Sequence, residues 1–563
     1  MRARRSAAFF LVMFALGARP GAECAGSGGE ALSRDAEVRE RSIESFEALL
    51  GRYPESAMRA PVLLLLGDLY AAREKARYLE AVARHERAVA AGEGGAPPVL
   101  AYAEAVRAFE EVARLGKEFP GSVEALHALG VCYDEMGRSD EAERALALAT
   151  QLAPDASLRV ASFLRLGDLR FSGENWEGAK EAYGSAEGAG ADAEAEKLDY
   201  RIGWCHLKQG ELSEAKARFT AALARALRSD LEARPQESLS EILRSLALVQ
   251  VQTDPSDLDG YAGRFPDGPV RRAALAEYGE VLLDHDRPAQ AEQAFRTVLR
   301  MDEGAPGAPE VHDRIIESLS AQERKGEAGA EMEAFVSRYA PGSAWWGAEG
   351  PEGDRAADLG ERLLRNCWNA ALIRFEAGSG ADLRAAALLF ERYTDELGGT
   401  RDCSRASLFA AEAWSRLGDF ERSLSLYERV DEGELPEEER EFALRGAVLA
   451  HRSLERTDDG LARAARRYAD AYPESEEAQK TLLVAAEREE DAGRLSSAFD
   501  LCVRAADRAS PPLAGEAEAR AARLAAALGE KAAAEEWYVR AASSADTGEE
   551  VGRWRRGGSG KKA

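Results

Sequence analysis

The sequence predicts an all-α protein, an α–α superhelix of antiparallel helix hairpins, and three observations support this prediction. The 563 residues exceed the roughly 250–300 that one hydrophobic core can organise, so the chain consists of several domains or of repeats. Alanine, leucine, glutamate and arginine dominate the composition, and all four favour helices. Small and large apolar residues also recur in register, with Gly130, Gly167 and Gly203 spaced 37 and then 36 residues apart. Such a period is typical of helical repeat arrays.

Residues 1–17 have the pattern of a secretory signal peptide. Arginines open the segment, an apolar run covers residues 7–16, and the small residues Ala15 and Gly17 stand at the −3 and −1 positions of a cleavage site. The apolar run is too short to span a bilayer, which takes about 20 residues. We therefore predict that this segment directs export and is removed, with cleavage as late as residue 24 as the alternative.

Cys24 raises the separate possibility of a lipid anchor. A bacterial lipobox has an aliphatic residue three positions before its cysteine and Gly, Ala or Ser directly before it, whereas Gly21 and Glu23 occupy those places here. Because the motif is poor, we expect membrane association only through partners or, as the weaker alternative, through a lipid on Cys24.

The remaining cysteines do not form a disulfide framework, because they are widely spaced and include no CxxC pair. Cys132 follows Gly130 by two residues, and Cys205 follows Gly203 by two, so a whole repeat separates two equivalent positions. Helices pack about 8–10 Å apart, and a disulfide needs Cα atoms within about 7 Å of each other. We therefore expect Cys132 and Cys205 to be unbridged and to fill small apolar spaces.

The clearest repeat lies between Val123 and Pro154. Four of its residues share one face of a predicted first helix, Gly137 ends that helix, and three more line a predicted second helix. These two sets are Leu126, Leu129, Gly130 and Tyr133, then Ala142, Leu146 and Ala149. The small residues let the two helices approach closely, and each hairpin must cover its remaining apolar face by stacking on a neighbour.

The same pattern recurs further along the chain, with the clearer copies at Phe163–Ala186, Ile202–Ala222 and Leu275–Phe295. This spacing predicts a first repeat array at residues 30–340 and a second at residues 355–548. The glycine- and proline-rich residues 341–354 are predicted to form a hinge between them, and residues 549–563 a disordered basic tail. In the first unit of the first array, Glu74–Ala90 is predicted to form an extra helix between the two helices of the hairpin.

The unit at Val123–Pro154 resembles the tetratricopeptide repeat (TPR), whose pattern of Leu, Gly and Tyr, then Ala, an aromatic and Ala, then Pro it follows closely. Several repeats also begin after an aromatic–Pro phrase such as Phe119-Pro120-Gly121-Ser122, and Arg201–His206 reads RIGWCH. Both features are similar to bacterial envelope TPR proteins of the δ-proteobacterial type. This resemblance and the signal pattern imply a periplasmic or outer-membrane-associated protein that binds protein or peptide partners.

Composition and motifs argue against other function classes. The formal net charge is −26, so a nucleic-acid phosphate backbone would be repelled. The six histidines are scattered, and no HExxH, GxSxG, Walker or GxGxxG motif has the structural setting that catalysis would need. We therefore predict no catalytic residue, no metal site and no cofactor, and interpret the chain as a non-enzymatic protein.

A scaffold of this class needs a binding surface. In TPR stacks the first helix of each hairpin lines the concave face, and its ligand-facing residues are those outside the helix–helix seam. The resemblance thus implies a peptide- or protein-binding groove formed by Val131, Asp134, Leu164, Asp168, Phe171, Tyr200, Trp204, Leu207 and Lys208. Several of these are large and apolar, where a solvated face would be charged. The alternative is that the same residues are buried inside the array.

Two functional interpretations follow. The first is an exported scaffold that assembles or positions partners in a bacterial cell-envelope complex. The second is a non-catalytic ancillary subunit of an envelope enzyme system, in polysaccharide export or peptidoglycan synthesis. Both depend on protein binding, and the identity of the partner separates them.

Overall fold

The computed structural model describes residues 28–153, 155–228, 236–397, 402–454, 456, 458–510 and 512–543. This part of the chain contains helices, short 3-10 turns and loops, and no strand. None of the helices described here has the length and apolar character that a membrane span requires. The predicted signal peptide, Cys24 and the predicted basic tail lie outside the described residues.

The chain divides into two compact units between Pro255 and Ser256. The helices of the first unit are α1 (Gly28–Arg52), α2 (Arg59–Ala90), α3 (Ala103–Ala113), α4 (Ser122–Glu135), α5 (Ser139–Leu152), α6 (Ala156–Ser172), α7 (Trp176–Gly188), α8 (Ala195–Lys208), α9 (Leu212–Ala226) and α10 (Gln236–Thr253). Each helix from α2 to α10 packs mainly on the helices before and after it in the chain. This is the contact pattern of stacked hairpins.

The second unit continues the same all-α architecture. Its helices are α11 (Leu258–Ala262), α12 (Pro269–Asp284), α13 (Pro288–Met301), α14 (Ala308–Ala321), α15 (Lys325–Tyr339), α16 (Ala344–Glu349), α17 (Asp354–Ala377), α18 (Gly380–Asp395), α19 (Cys403–Arg416), α20 (Phe420–Tyr427), α21 (Glu437–Ser453), α22 (Gly460–Ala471), α23 (Glu476–Asp491), α24 (Leu495–Arg508), α25 (Leu513–Leu528) and α26 (Lys531–Ser543). The predicted all-α class is confirmed.

Close packing at glycine explains why hairpins form where the repeat pattern predicts them. A Cβ atom added to Gly130 would lie 2.4 Å from Leu146, and one added to Gly167 would lie 2.3 Å from the Tyr183 ring. Gly203 and Phe219 stand in the same relation in the next hairpin, at 2.7 Å. Side-chain carbons do not approach this closely, so only glycine lets the large residue of the second helix reach the backbone of the first.

One helix differs from the sequence prediction. Residues 74–90 do not form a separate helix but continue the helix that begins at Arg59, because no helix-breaking residue interrupts this stretch before Gly92. The segment 341–354 lies inside the second unit, where Ala344–Glu349 forms the short α16, whereas the division between the units falls between Pro255 and Ser256. A hinge at 341–354 stays a prediction.

Candidate functional site

The predicted groove residues belong to α4, α6 and α8, the first helices of three consecutive hairpins in the first unit. Asp155 caps the start of α6 by accepting a hydrogen bond from the Leu158 backbone N–H, which sets where this helix begins. Each first helix is then held in register by its own second helix, through the glycine contacts described above. Side chains of α4, α6 and α8 that do not face the second helices can therefore contribute to one surface across hairpins.

Ion pairs join these first helices. Arg165 on α6 lies 2.8 Å from the Asp134 carboxylate on α4, and Arg201 on α8 lies 3.2 Å from the Asp168 carboxylate on α6. The Tyr183 hydroxyl also donates a hydrogen bond to Asp168, at 2.7 Å. Burial raises the pKa of both aspartates, although the arginines act in the opposite direction. Two of the predicted groove residues thus connect adjacent repeats.

Four aromatic residues and one lysine on α6, α7 and α8 form what we term the aromatic patch: Phe171, Trp176, Tyr200, Trp204 and Lys208. The Phe171 and Trp176 rings meet edge to face with centroids 4.8 Å apart, and the Tyr200 and Trp204 centroids are 6.4 Å apart. The four rings are half-buried, and Lys208 is exposed. Partly accessible rings in such a cluster supply apolar surface for a bound side chain.

Lys208 lies close to both indoles of the aromatic patch. Its Nζ atom lies 5.8 Å from the centroid of the Trp176 ring and 5.8 Å from that of the Trp204 ring. Both distances are within the range of a cation–π interaction. The indoles come from neighbouring hairpins, at the start of α7 and towards the end of α8, so the lysine connects the two repeats at the surface.

The remaining predicted groove residues have other surroundings. Leu207 is buried, at 8% exposed, and is not available to a partner. Leu164 is half-buried and packs against the core cluster that contains Tyr183 and Leu198, and Val131 is half-buried on α4. Burial inside the array, the alternative considered for the whole set, therefore applies to some of these residues and not to others.

The sequence interpretation did not single out three residues of this surface: Arg165, Arg201 and Trp176. A signal for the arginines was present, because each stands two residues before the glycine of its hairpin, at Gly167 and Gly203. Trp176 is the first residue of α7, directly after the capping residue Asn175. The repeat pattern does not require a tryptophan at the start of a helix, so this departure from the pattern could have identified Trp176 from the sequence.

Cys132 and Cys205 are free, buried thiols on α4 and α8. Burial raises the pKa of each to about 12, so neither carries a thiolate near neutral pH. Their position in the hydrophobic clusters agrees with the predicted role as residues that fill small apolar spaces, and the cluster of Cys132 also contains Leu169.

The second unit contains a cavity of about 560 Å³ whose lining includes Arg296, Arg300, His312, Glu331 and Arg338. The Glu331 carboxylate lies 2.6 Å from Arg296 and 2.9 Å from Nε2 of the buried His312. The hydrogen bond from His312 is the main cause that lowers the pKa of Glu331 to about 2. This network ties α13, α14 and α15 together. Among the described residues, no group of His, Cys, Asp or Glu side chains is arranged as metal ligands would be.

Comparison with known proteins agrees with the repeat class. Residues 88–166, from the end of α2 into α6, match the family model of the tetratricopeptide repeat. A search among curated proteins finds no significant match.

Three solved structures align with parts of this chain. The structure of Naa15/Naa10 bound to HypK-THB aligns with 92% of this chain and 75% of its own, at 16% identity and a TM-score of 0.32. A tetratricopeptide repeat protein from Parabacteroides merdae aligns with 51% of this chain and 98% of its own, at 14% identity and a TM-score of 0.25. The TPR2AB-domain:pHSP90-complex of yeast Sti1 aligns with 52% of this chain and 100% of its own, at 14% identity and a TM-score of 0.21.

Proposed function

We propose that this chain is an exported protein-interaction scaffold of the tetratricopeptide type, which assembles or positions partners in a bacterial cell-envelope complex. The observation that carries the proposal is the aromatic patch, where half-buried rings from two hairpins remain partly accessible. Partly accessible rings that cluster in this way supply apolar surface that a partner side chain can cover. Together with the family match at residues 88–166, this surface supports binding of a protein or peptide.

The envelope setting rests on the N-terminal sequence. The arginines, apolar run and small residues within positions 1–17 are the parts of an export signal, and the resemblance to envelope proteins is consistent with it. The alternative is a non-catalytic ancillary subunit of an envelope enzyme system, in polysaccharide export or peptidoglycan synthesis. The two proposals differ in whether the bound partner is itself an enzyme.

Affinity purification with matched variants tests the scaffold proposal. The full chain, its Trp176→Ala variant and its Val539→Ala variant are each purified from envelope extracts of the cells that produce it, and the co-purifying proteins are quantified. Val539 is exposed on α26 in the other unit, so its substitution also removes exposed apolar surface but leaves the aromatic patch intact. We expect a partner that is depleted by Trp176→Ala and retained by Val539→Ala. Equal recovery from all three chains would contradict a partner site at this patch.

A further inference from the structure

Lys208 is a surface cation that has aromatic neighbours in place of acidic ones. In the part of the chain that the structure describes, no carboxylate lies within ion-pair distance of its Nζ atom, although acids outnumber bases by 26 in the sequence. Lys197, on the same helix, pairs with Glu194 at 2.8 Å, and Lys180 on α7 pairs with Glu177 at 2.8 Å. The Lys208 ammonium thus lies near two indoles of the aromatic patch.

The cation–π contacts leave the hydrogen-bonding capacity of this ammonium unused. A ring face attracts positive charge but does not replace a carboxylate acceptor, and a lysine ammonium has three donors. Because the side chain is held between Trp176 and Trp204, less conformational freedom is lost when a ligand pairs with it. Lys208 is therefore an ordered and exposed donor group.

Of the acids near the aromatic patch in sequence, Glu177 and Glu211 have partners, whereas the exposed Glu174 has no side-chain partner among the described residues. Glu177 accepts hydrogen bonds from Lys180 and, at 2.8 Å, from the Gln209 amide. Glu211 lies 2.6 Å from Nδ1 of His206. Charges beyond about 8 Å are largely screened at physiological ionic strength, so an arriving carboxylate is influenced by Lys208 more than by the net charge of the chain.

We propose that the aromatic patch binds an extended partner segment in which an Asp or Glu lies within two residues of a large apolar side chain. In this arrangement the carboxylate pairs with Lys208, and the apolar side chain packs on the half-buried rings of Phe171, Trp176 and Trp204. The inference rests on the proposed function, because it specifies the partner chemistry of the same surface. A charge-assisted hydrogen bond beside an apolar contact supplies both orientation and specificity.

A basic partner segment is the alternative, and the two alternatives predict opposite effects of removing Lys208 on the affinity for the partner. A partner lysine or arginine could take the place of Lys208 between the indoles, and the acidic chain would attract it. Removal of Lys208 would then vacate the space between the rings and strengthen binding. If the partner is acidic, removal of Lys208 weakens binding.

Peptide selection on the full chain distinguishes these chemistries. A random-peptide phage library is panned on the wild-type protein, and selected peptides are synthesised and titrated by fluorescence anisotropy. The titration uses wild type and the Lys208→Ala, Lys208→Arg, Lys197→Ala and Trp176→Ala variants. We expect acidic–apolar peptides, with roughly tenfold weaker binding to Lys208→Ala, intermediate binding to Lys208→Arg and unchanged binding to Lys197→Ala. Circular dichroism verifies that each variant is folded.

Each other outcome overturns part of the argument. The acidic-partner inference is wrong if basic peptides are selected. It is also wrong if the selected peptides bind Lys208→Ala more tightly than wild type or equally tightly. If such peptides still lose affinity on Trp176→Ala, the scaffold proposal stands without it. If no peptide is selected, or if selected peptides bind Trp176→Ala as tightly as wild type, the aromatic patch is not the docking surface and both proposals fail.

Discussion

Arg201 on α8 reaches the Asp168 carboxylate on α6, and this pair joins two hairpins across the face of their first helices. The second unit repeats the relationship, since Arg314 on α14 lies 2.8 Å from Glu280 on α12. Asp168 and Glu280 each directly follow the glycine that packs against its own second helix, at Gly167 and Gly279. The acid next to the packing glycine thus serves in both units to connect one hairpin to the next.

The Asp168–Arg201 pair is expected to stabilise the array measurably. Arg201→Met keeps the apolar stem of the side chain but leaves a carboxylate that is only 14% exposed without its cation. We expect a loss of about 2 kcal/mol in the free energy of unfolding, because a largely buried charge then lacks its partner. Chemical denaturation, with hydrogen exchange of peptides from α6 to α9, measures the change.

Two variants control this prediction. Lys197→Met removes an exposed pair with Glu194 and should change stability by less than about 0.5 kcal/mol. Adding Asp168→Asn to Arg201→Met removes the uncompensated charge and should restore part of the loss. If Arg201→Met and Lys197→Met had equal effects, the pair would not hold the hairpins together.

Glycine substitutions test the hairpin packing. Gly167→Ala places a Cβ atom 2.3 Å from the buried Tyr183 ring and should destabilise the protein by about 1–3 kcal/mol. Gly184→Ala, on α7, meets no atom within 4 Å and should stabilise the helix by up to about 1 kcal/mol. Thermal or urea denaturation of both variants should show opposite signs. A neutral Gly167→Ala would contradict close helix contact at this position.

Stability at acid pH should depend on Glu331. Its pKa in the folded state is about 2, below the ordinary value of 4.5, chiefly because His312 donates a hydrogen bond to the carboxylate. A lowered folded-state pKa gives stability that is fully present above about 4.5 and is lost as the pH falls towards 2. Between pH 6 and pH 3, wild type should therefore lose about 1–2 kcal/mol more than Glu331→Gln, after allowance for solvent screening.

Denaturant midpoints measured across this pH range give the comparison. Glu317→Gln is the control, since Glu317 is 57% exposed and its pair with Arg314 lies at the surface. Its pH dependence should match that of wild type. Identical curves for all three proteins would show that the His312–Glu331 contact does not contribute to acid stability.

Thiol reactivity reports the burial of the cysteines. Cys403 is half-buried, whereas Cys132, Cys205, Cys367 and Cys502 are buried and have pKa values raised to about 12 by burial. At neutral pH without reductant, an alkylating reagent should modify Cys403 first and reach the other four only after denaturation. A peptide map that linked Cys132 to Cys205 would overturn the repeat register.

Export is tested at the N-terminus. Residues 1–30 fused to a reporter that is active only outside the cytoplasm should give activity, because they contain the basic, apolar and small-residue parts of a signal. Mass spectrometry of the native protein should find its first residue between positions 18 and 25. An intact Met1 would contradict export through a cleaved signal, and a diacylated Cys24 would establish the lipid anchor.

The sequence by itself determined the all-α class and the position of the clearest hairpins. The reason is local, because apolar residues three and four positions apart in sequence lie on one face of a helix. A small residue such as Gly130, opposite Leu146, identifies where two consecutive helices touch. Helices joined by short loops are neighbours in space, so a repeated pattern is sufficient to predict their pairing.

Only the tertiary structure decided which of the predicted groove residues share a surface. The sequence did not show that Asp168 pairs with Arg201, that Leu207 is buried, or that Trp176 and Trp204 flank Lys208. These relationships depend on the offset and rotation between successive hairpins, which side-chain packing sets to within a few ångströms. Periodicity within one helix does not contain that information, because it describes each helix relative to its own axis and not to the next hairpin.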